Sequence, residues 1–224
     1  MASKKILFVL TSHDKMVSGK PTGWYLPEAA HPYYVVKEAG CAQGGKAPLD
    51  PSSVEGFKED EGCKRALADA EFKKGVENTK KLADMRQGDY AAIFYVGGHG
   101  PCFDLSTDLN SHKLIQDFWA AGKPVSAVCH GPVVFCGVTD TKTGEKFVKG
   151  KKLTCFSNEE EKIAGLVDEI PFLVETQLRA EGADFQNKRE AWKEEIVVDG
   201  QLITGANPAS AEGVGQALVA ALKA

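Results

Sequence analysis

The sequence predicts an α/β domain in which a mainly parallel β-sheet is packed between helices. Short, continuous apolar runs recur along the chain, at residues 6–10, 91–96 and 125–128. Runs of this kind are typical of parallel strands that are buried on both faces. Segments with helical spacing lie between and after them, at residues 28–39, 71–84, 110–121, 165–181 and 209–224. Because strands alternate with helices of this length, we expect parallel pairing through helical crossovers.

Turn residues mark the boundaries of the predicted elements. Gly40, Gly122 and Gly182 each follow a helical segment, where glycine commonly ends a helix in a left-handed conformation. Near the end of the chain, Asp199-Gly200 stands between two runs rich in β-branched residues. This dipeptide is typical of a hairpin with a type I′ turn. The sheet should therefore include an antiparallel pair near its end.

Length and composition indicate one ordinary globular domain that spans residues 1–224. Hydrophobic residues make up 43% of the chain and charged residues 26%, which are average values for a globular protein. A net charge of −4 supplies no basic surface for nucleic acid or an anionic membrane. The expected partner is a small molecule.

The cysteines and the first apolar run indicate the cellular compartment of the protein. Six cysteines in 224 residues, in a chain rich in helix and strand patterns, favour reduced thiols over a disulfide scaffold. The run at residues 6–10 is too short for a signal sequence, and no later stretch approaches the length of a membrane span. We therefore expect a cytoplasmic protein.

The turn after the run 125–128 carries the main chemical signal. It places Cys129 between a strand and the apparent start of a helix at Gly131, like the serine of the hydrolase nucleophile elbow. A helix N-terminus and the adjacent His130 should both lower the pKa of the thiol. Cys129 is therefore a candidate nucleophile.

Three other segments that follow predicted strands could complete such a site. The carboxyl ends of parallel strands meet at one edge of a sheet, where ligands bind. His130 could act as the base, and Glu161 could fix its tautomer. The backbone N–H groups of His130 and of Gly97-Gly98 could form an oxyanion hole. The further candidates at this edge are Glu28 and His99.

Each candidate also has a purely structural interpretation. Cys129 could be a buried core thiol, Glu28 a solvated residue of a helix first turn, and residues 159–161 an exposed helix start. Residues 97–100 lack the spacing of either nucleotide-binding glycine motif, so they could simply form a tight turn. No zinc-binding spacing connects the histidines and Cys129. We therefore expect neither a metal nor a cofactor.

Five motifs in order give the chain a resemblance to a known family. They are Thr22-Gly23 followed by Glu28 and His31-Pro32, the segment PLDP at 48–51, YVGGHG at 95–100, AVCHGP at 127–132 and TGANPAS at 204–210. Together they resemble the ThiJ/PfpI superfamily. Within it they are similar to the glutathione-independent glyoxalase branch, also called glyoxalase III and often described as heat-shock chaperones.

The resemblance implies a flavodoxin-like fold, related to class I glutamine amidotransferases, with a helical cap and usually a homodimer. It implies conversion of methylglyoxal, a 2-oxoaldehyde, to D-lactate without glutathione, metal or cofactor. It also implies roles for matching residues: nucleophile Cys129, its partner His130, third triad member Glu161, a carboxyl group beside the sulfur at Glu28, and an oxyanion-hole donor at Gly98. The aromatic residues Trp24, Tyr25 and Phe103 are candidate pocket walls.

The chain departs from the family pattern in two places. Relatives usually place a second strand between the position of Gly40 and the glycine-rich segment, but here only residues 41–43 intervene. The sheet is therefore expected either to lack an edge strand or to use residues 46–49 as a short substitute. The second departure is Ala127, which stands where the hydrolase elbow has glycine and implies a slightly wider turn.

Three other functions fit parts of the same motif set. A cysteine peptidase or amide hydrolase would use Cys129 and His130 in the same way but would need an open cleft. A redox-responsive chaperone would use oxidation of Cys129 beside Glu28. A protein deglycase would begin with the same thiol addition. The glyoxalase remains the leading hypothesis because it gives Glu28 a function.

Overall fold

The computed structural model describes residues 5–36, 40–41 and 44–223. The described strands are β1 (Ile6–Val9), β2 (Gly40–Cys41), β3 (Gly44–Gly45), β4 (Thr79–Lys80), β5 (Ala92–Tyr95), β6 (Val125–Val128), β7 (Lys152–Leu153), β8 (Asp184–Phe185), β9 (Ile196–Asp199) and β10 (Leu202–Gly205). The described helices are α1 (Leu26–Val36), α2 (Pro51–Gly56), α3 (Glu61–Ala68), α4 (Ala70–Glu77), α5 (Leu109–Ala120), α6 (Asn158–Ala164), α7 (Val174–Ala180) and α8 (Ala211–Lys223). Each of these helices is too short or too polar to cross a membrane.

Six of the strands form the main sheet, in the order β2-β1-β5-β6-β10-β9. All neighbours pair in parallel except β9 and β10, which are antiparallel. Every residue of β1, β5, β6 and β10 is buried. This is typical of a parallel sheet, because helices cover both of its faces. This is the mainly parallel sheet between helices that the sequence predicts.

Two apolar cores lie on opposite faces of the sheet. One contains Ile115 and Phe118 of α5 together with Leu178 of α7. The other contains Leu26 of α1 and Leu218 of α8. Helices α2, α3 and α4 follow β3 in the chain, and α2 and α3 pack against α1.

Two predicted helices are shorter in the structure. The predicted helix 71–84 ends as α4 at Glu77, because the next residues form β4 and pair with β3. The predicted helix 165–181 begins only at Val174. Its expected first residue, Gly165, instead ends α6 in a left-handed conformation with φ of 69°, which suits glycine.

The expectation of a missing edge strand is wrong, since β2 is present as a two-residue strand. Gly40 pairs with Leu7 and Cys41 with Phe8. Residues 46–49 do not replace it, because they contribute no strand to the main sheet. Residues 42 and 43 lie outside the described part of the chain.

The predicted hairpin is present with a different turn. Leu202 pairs with Asp199, so the two turn residues are Gly200 and Gln201. Gly200 has φ of 58°, and Gln201 is not among the described residues with positive φ. A positive φ at the first central residue alone is typical of a type II′ turn rather than type I′. Strand β10 pairs in parallel with β6. Its last residue, Gly205, accepts a hydrogen bond from the turn that follows β6.

Candidate active site

Cys129 occupies a strained turn directly after β6. Its φ is 60°, a conformation that costs a non-glycine residue about 1–3 kcal/mol. The turn is held from both sides: the Cys129 N–H donates to the Gly205 carbonyl, and its carbonyl accepts from Phe156 N–H, each over 2.9 Å. The helix that follows is a 3₁₀ helix of five residues, Gly131–Phe135, rather than an α-helix.

A chain of side-chain contacts leads from the Cys129 sulfur to a buried carboxylate. Sγ lies 3.3 Å from His130 Nδ1, and His130 Nε2 lies 2.6 Å from Glu161 Oε2. The other oxygen of Glu161 lies 3.0 Å from Nε2 of His99. Because a carboxylate can only accept hydrogen bonds, both imidazoles carry hydrogen on Nε2. A neutral His130 therefore turns an unprotonated Nδ1 toward the sulfur.

Electrostatics keeps this arrangement in one protonation state. Burial acts to raise the pKa of Glu161, but the charge and hydrogen bonding of His130 and His99 outweigh it and hold the pKa well below its usual value. Burial, followed by the nearby His99, lowers the pKa of His130. At neutral pH the site therefore holds an ionised Glu161 beside a His130 that is free to accept a proton.

Glu28 faces the same sulfur from the first turn of α1 and is fully buried. The nearest polar groups are the Cys129 thiol and the Gly97 N–H, and neither meets the geometry of a hydrogen bond to the carboxyl oxygens. Burial without a partner raises the pKa of this carboxyl well above its usual value. Glu28 is therefore a carboxyl group that readily holds a proton.

The pKa of the Cys129 thiol is raised, opposite to the sequence-based expectation. Burial is the largest cause, and the charge of Glu28 adds to it whenever that carboxyl group is ionised. The expected helix dipole is weak because the following helix is so short. Activation of Cys129 must therefore come from His130 as an adjacent base rather than from a preformed thiolate.

Glycine is required at two consecutive positions after β5, Gly97 and Gly98. A Cβ at Gly97 would lie 2.4 Å from Glu28 Oε2 and 2.9 Å from the Cβ of Cys129. Gly98 has φ of 90°, and a Cβ there would lie 2.3 Å from the Gly23 carbonyl oxygen. The backbone can thus approach a bound molecule closely at this point.

The site opens into a small cavity of about 100 Å³. Its lining includes most of the residues that the sequence singled out, namely Glu28, Gly98, His99, Cys129 and His130, together with Tyr25, Ser52, Phe156, Ala164, Leu166, Trp192 and Pro208. Glu161 lies behind the two imidazoles rather than on the cavity wall.

Two aromatic residues predicted as pocket walls lie elsewhere. Trp24 is 1% exposed and packs in the core, where its indole N–H donates to the Ala47 carbonyl over 3.3 Å. Phe103 stacks on His13 with ring centroids 4.4 Å apart. The hydrophobic wall is built instead by residues such as Phe156 and Trp192, which the sequence patterns did not indicate.

Two groups of side chains in the described residues bring possible metal-ligand atoms within 4.8 Å of one another. They are His99, His130 and Glu161, and His31, Asp60 and Cys63. In the first, both Glu161 oxygens bind an imidazole. In the second, Asp60 caps α3 and binds His31. These hydrogen bonds account for both groups as protein contacts.

Comparison with known proteins identifies the family. Residues 26–221 match the sequence profile described as the DJ-1/PfpI family. The chain belongs to the DJ-1/PfpI family. This DJ-1/PfpI protein is 33% identical to glyoxalase 3 of Candida albicans, with 98% of each chain covered. It is 32% identical to the glutathione-independent glyoxalase HSP31 of Saccharomyces cerevisiae, with both chains covered in full.

Solved structures of similar proteins share the whole fold of this DJ-1/PfpI protein. The crystal structure of glyoxalase III from Candida albicans matches it with a TM-score of 0.90 at 33% identity, covering 98% of this chain and 97% of that one. The rapid encystment protein REP24 of Francisella tularensis matches with a TM-score of 0.91 at 36% identity, covering 98% and 99%. The family and fold predicted from the sequence are confirmed.

Proposed function

We propose that this protein is a glutathione-independent glyoxalase that converts methylglyoxal to D-lactate. Its full-length relatives in Candida albicans and Saccharomyces cerevisiae are named as glyoxalases. The observation that carries the proposal is the fully buried Glu28 carboxyl beside the Cys129 thiol. A thiol with an adjacent imidazole would suit many reactions, whereas a second, partner-free proton acceptor suits a reaction that moves a proton on carbon.

In the first step, the Cys129 sulfur attacks the aldehyde carbon. His130 Nδ1, 3.3 Å from the sulfur, takes the thiol proton and returns it to the aldehyde oxygen. An S–C bond forms, the C=O π bond breaks, and the product is a hemithioacetal. Glu161 stabilises the transient imidazolium because it accepts the Nε2 hydrogen over 2.6 Å.

Backbone donors are available for the developing oxyanion. Gly98 lies at the cavity wall, and the N–H of His130 follows the sulfur directly. Within the part of the chain that the structure describes, neither N–H donates to another backbone carbonyl. Two such donors aimed at the substrate oxygen would lower the barrier to addition.

In the second step, Glu28 removes the proton from the carbon bound to sulfur. The electrons of that C–H bond form a C=C bond to the neighbouring ketone carbon, and the ketone oxygen takes up a proton to give an enediol. Glu28 then returns its proton to the former ketone carbon, while the hydroxyl on the carbon bound to sulfur loses its proton and becomes the thioester carbonyl, which balances the proton gained by the ketone oxygen. The former aldehyde carbon is oxidised to a thioester and the ketone carbon is reduced to an alcohol, so no external oxidant is needed. Water releases lactate and restores the thiol. A carboxyl group with a raised pKa suits this exchange.

The size of the cavity argues against a peptidase. A space of about 100 Å³ accepts a molecule of a few heavy atoms but not an extended peptide. Deglycase activity shares the first thiol addition and would therefore use the same groups at Cys129. A redox-responsive chaperone would instead use oxidation of Cys129 beside Glu28.

The experiment is to incubate the protein with methylglyoxal in the absence of glutathione and to quantify D-lactate with a stereospecific dehydrogenase. We expect D-lactate to form, and its formation to be abolished in Cys129→Ala. A parallel casein assay tests the alternative. Peptide release without lactate would contradict the proposal.

Two further expectations from the sequence remain proposals for this chain, one from the family resemblance and one from the cysteines. We propose a homodimer, which sedimentation equilibrium would test. We also propose a cytoplasmic location, supported by the free thiols of Cys63, Cys102, Cys129, Cys136 and Cys155, since reducing compartments favour unpaired cysteines.

A further inference from the structure

Trp192 lies at the mouth of the cavity in an unusual backbone conformation. Its φ is 68°, and among the described non-glycine residues only Cys129 shares a positive φ. Bulky side chains rarely adopt this conformation unless the surrounding structure enforces it. The indole remains 46% exposed, yet one side of it packs on Phe156, with ring centroids 5.4 Å apart. Phe156 in turn packs on the His130 ring at 4.6 Å.

A buried carboxylate, Glu160, enforces this conformation. Its Oε1 accepts the Trp192 N–H over 2.9 Å, and its two oxygens accept both terminal nitrogens of Arg189, over 2.8 and 2.7 Å. Glu160 is fully buried, and Arg189 is 7% exposed. The segment that carries Trp192 is therefore tied to the protein by a bidentate ion pair out of solvent, which is a strong and directional contact.

Glu160 is itself fixed from its other side. It accepts the Asn207 amide over 2.9 Å and forms a capping box with Ser157 at the start of α6. The next residue is Glu161, which binds the two imidazoles of the site. Adjacent carboxylates on one turn of α6 thus have separate roles. Glu161 holds the two imidazoles of the site, and Glu160 holds the backbone of Trp192.

We propose that Trp192 is a specificity-determining residue that limits the site to 2-oxoaldehydes with a short substituent on the ketone carbon. Glu160 is its positioning residue. The proposal rests on the proposed glyoxalase function and names its substrate class. Substrate bound to Cys129 extends toward the mouth, where Phe156, Leu166 and Trp192 form an apolar wall. The cavity of about 100 Å³ has room for a methyl substituent, whereas a phenyl ring needs additional space, which removal of the indole would supply.

The kinetic test compares methylglyoxal with phenylglyoxal. The measured quantity is the ratio of kcat/KM for phenylglyoxal to that for methylglyoxal, with products quantified chromatographically as mandelate and lactate. We expect Trp192→Ala to raise this ratio at least tenfold and Trp192→Phe to give an intermediate value. Leu109→Ala is the matched control, because Leu109 is 79% exposed and does not line the cavity. An unchanged ratio in Trp192→Ala would overturn the proposal.

A second readout does not depend on glyoxalase activity. Cys129 is alkylated with iodoacetamide or with N-phenylmaleimide, and modification of its tryptic peptide is followed by mass spectrometry. We expect Trp192→Ala to raise the rate with the larger reagent relative to the smaller at least tenfold. Should the wild type convert neither aldehyde, the proposed function fails, while this ratio still decides whether Trp192 limits access.

The positioning role of Glu160 is tested by the same ratios. Glu160→Gln keeps the shape of the side chain but weakens its contact with Arg189. The alkylation rate with the larger reagent and kcat/KM for the larger substrate should therefore rise relative to those for the smaller ones. A merely structural role would lower both rates together and leave the ratios unchanged. That outcome would remove Glu160 from the proposal while leaving the Trp192 test intact.

Discussion

Glu28 and Cys129 approach each other around a single glycine, since a methyl group on Gly97 would lie 2.4 Å from Glu28 Oε2 and 2.9 Å from the Cβ of Cys129. The absence of a side chain at Gly97 is what allows the carboxyl group and the thiol to share one buried space.

Gly97→Ala should separate the two groups. The added methyl group also meets the Val128 carbonyl oxygen at 2.5 Å, so backbone and side chains must shift, and a displacement of about 1 Å can cost about 10²-fold in rate. We expect kcat/KM for methylglyoxal to fall by at least that factor. Gly88→Ala is the control, because a Cβ there meets nothing within 4 Å. Equal activity in both variants would contradict the geometry.

Glu161→Gln should disable His130 as a base. Glu161 uses one oxygen for each imidazole, and the amide replaces one of these oxygens with an NH2 donor and removes the negative charge, so the contact that fixes the His130 tautomer is lost or weakened. We expect kcat to fall by about 10²–10⁴-fold, the range for loss of general acid–base catalysis. Steady-state kinetics at saturating methylglyoxal measures this effect. A loss of less than twofold would show that His130 is oriented by other contacts.

The reacting groups of the site and the position of Trp192 at its mouth differ in how well the sequence predicts them. Cys129 and Gly97-Gly98 follow β6 and β5 of the main sheet, so their meeting at one edge follows from the strand pattern. Glu161 is less direct, because it lies on α6 after β7, which belongs to a separate two-stranded sheet. The position of Trp192 does not, because it depends on an ion pair between Arg189 and Glu160 that no periodicity encodes. The raised pKa of the thiol was equally hidden, since it depends on burial that only the folded chain reveals.

Glu28→Gln should make the fold more stable at neutral pH. Burial raises the folded-state pKa of Glu28 above its unfolded value, so ionisation favours the unfolded chain. The stability associated with the protonated group is complete below the unfolded pKa of about 4.5 and is lost as pH rises toward the folded pKa. We expect urea unfolding to show a gain for Glu28→Gln at pH about 7.5 that shrinks at pH about 4. A variant less stable than wild type at both pH values would contradict this.

Cys129→Gly should be at least as stable as Cys129→Ala. Glycine normally destabilises a regular position by about 0.5–1 kcal/mol relative to alanine, but at φ of 60° it relieves a strain of about 1–3 kcal/mol. The free energy of unfolding of the two variants, measured in urea, checks the difference. If alanine is more stable by 1 kcal/mol or more, the turn is not strained.

The most direct test of the central claim is the fate of methylglyoxal bound to Glu28→Gln. If Glu28 moves the proton on the carbon attached to Cys129, this variant should still add the aldehyde to the thiol but stop at the hemithioacetal. With methylglyoxal labelled with ¹³C at the aldehyde carbon, NMR of the intact variant should detect the hemithioacetal carbon, while lactate formation falls by at least 10²-fold. Lactate production within twofold of wild type would contradict the account.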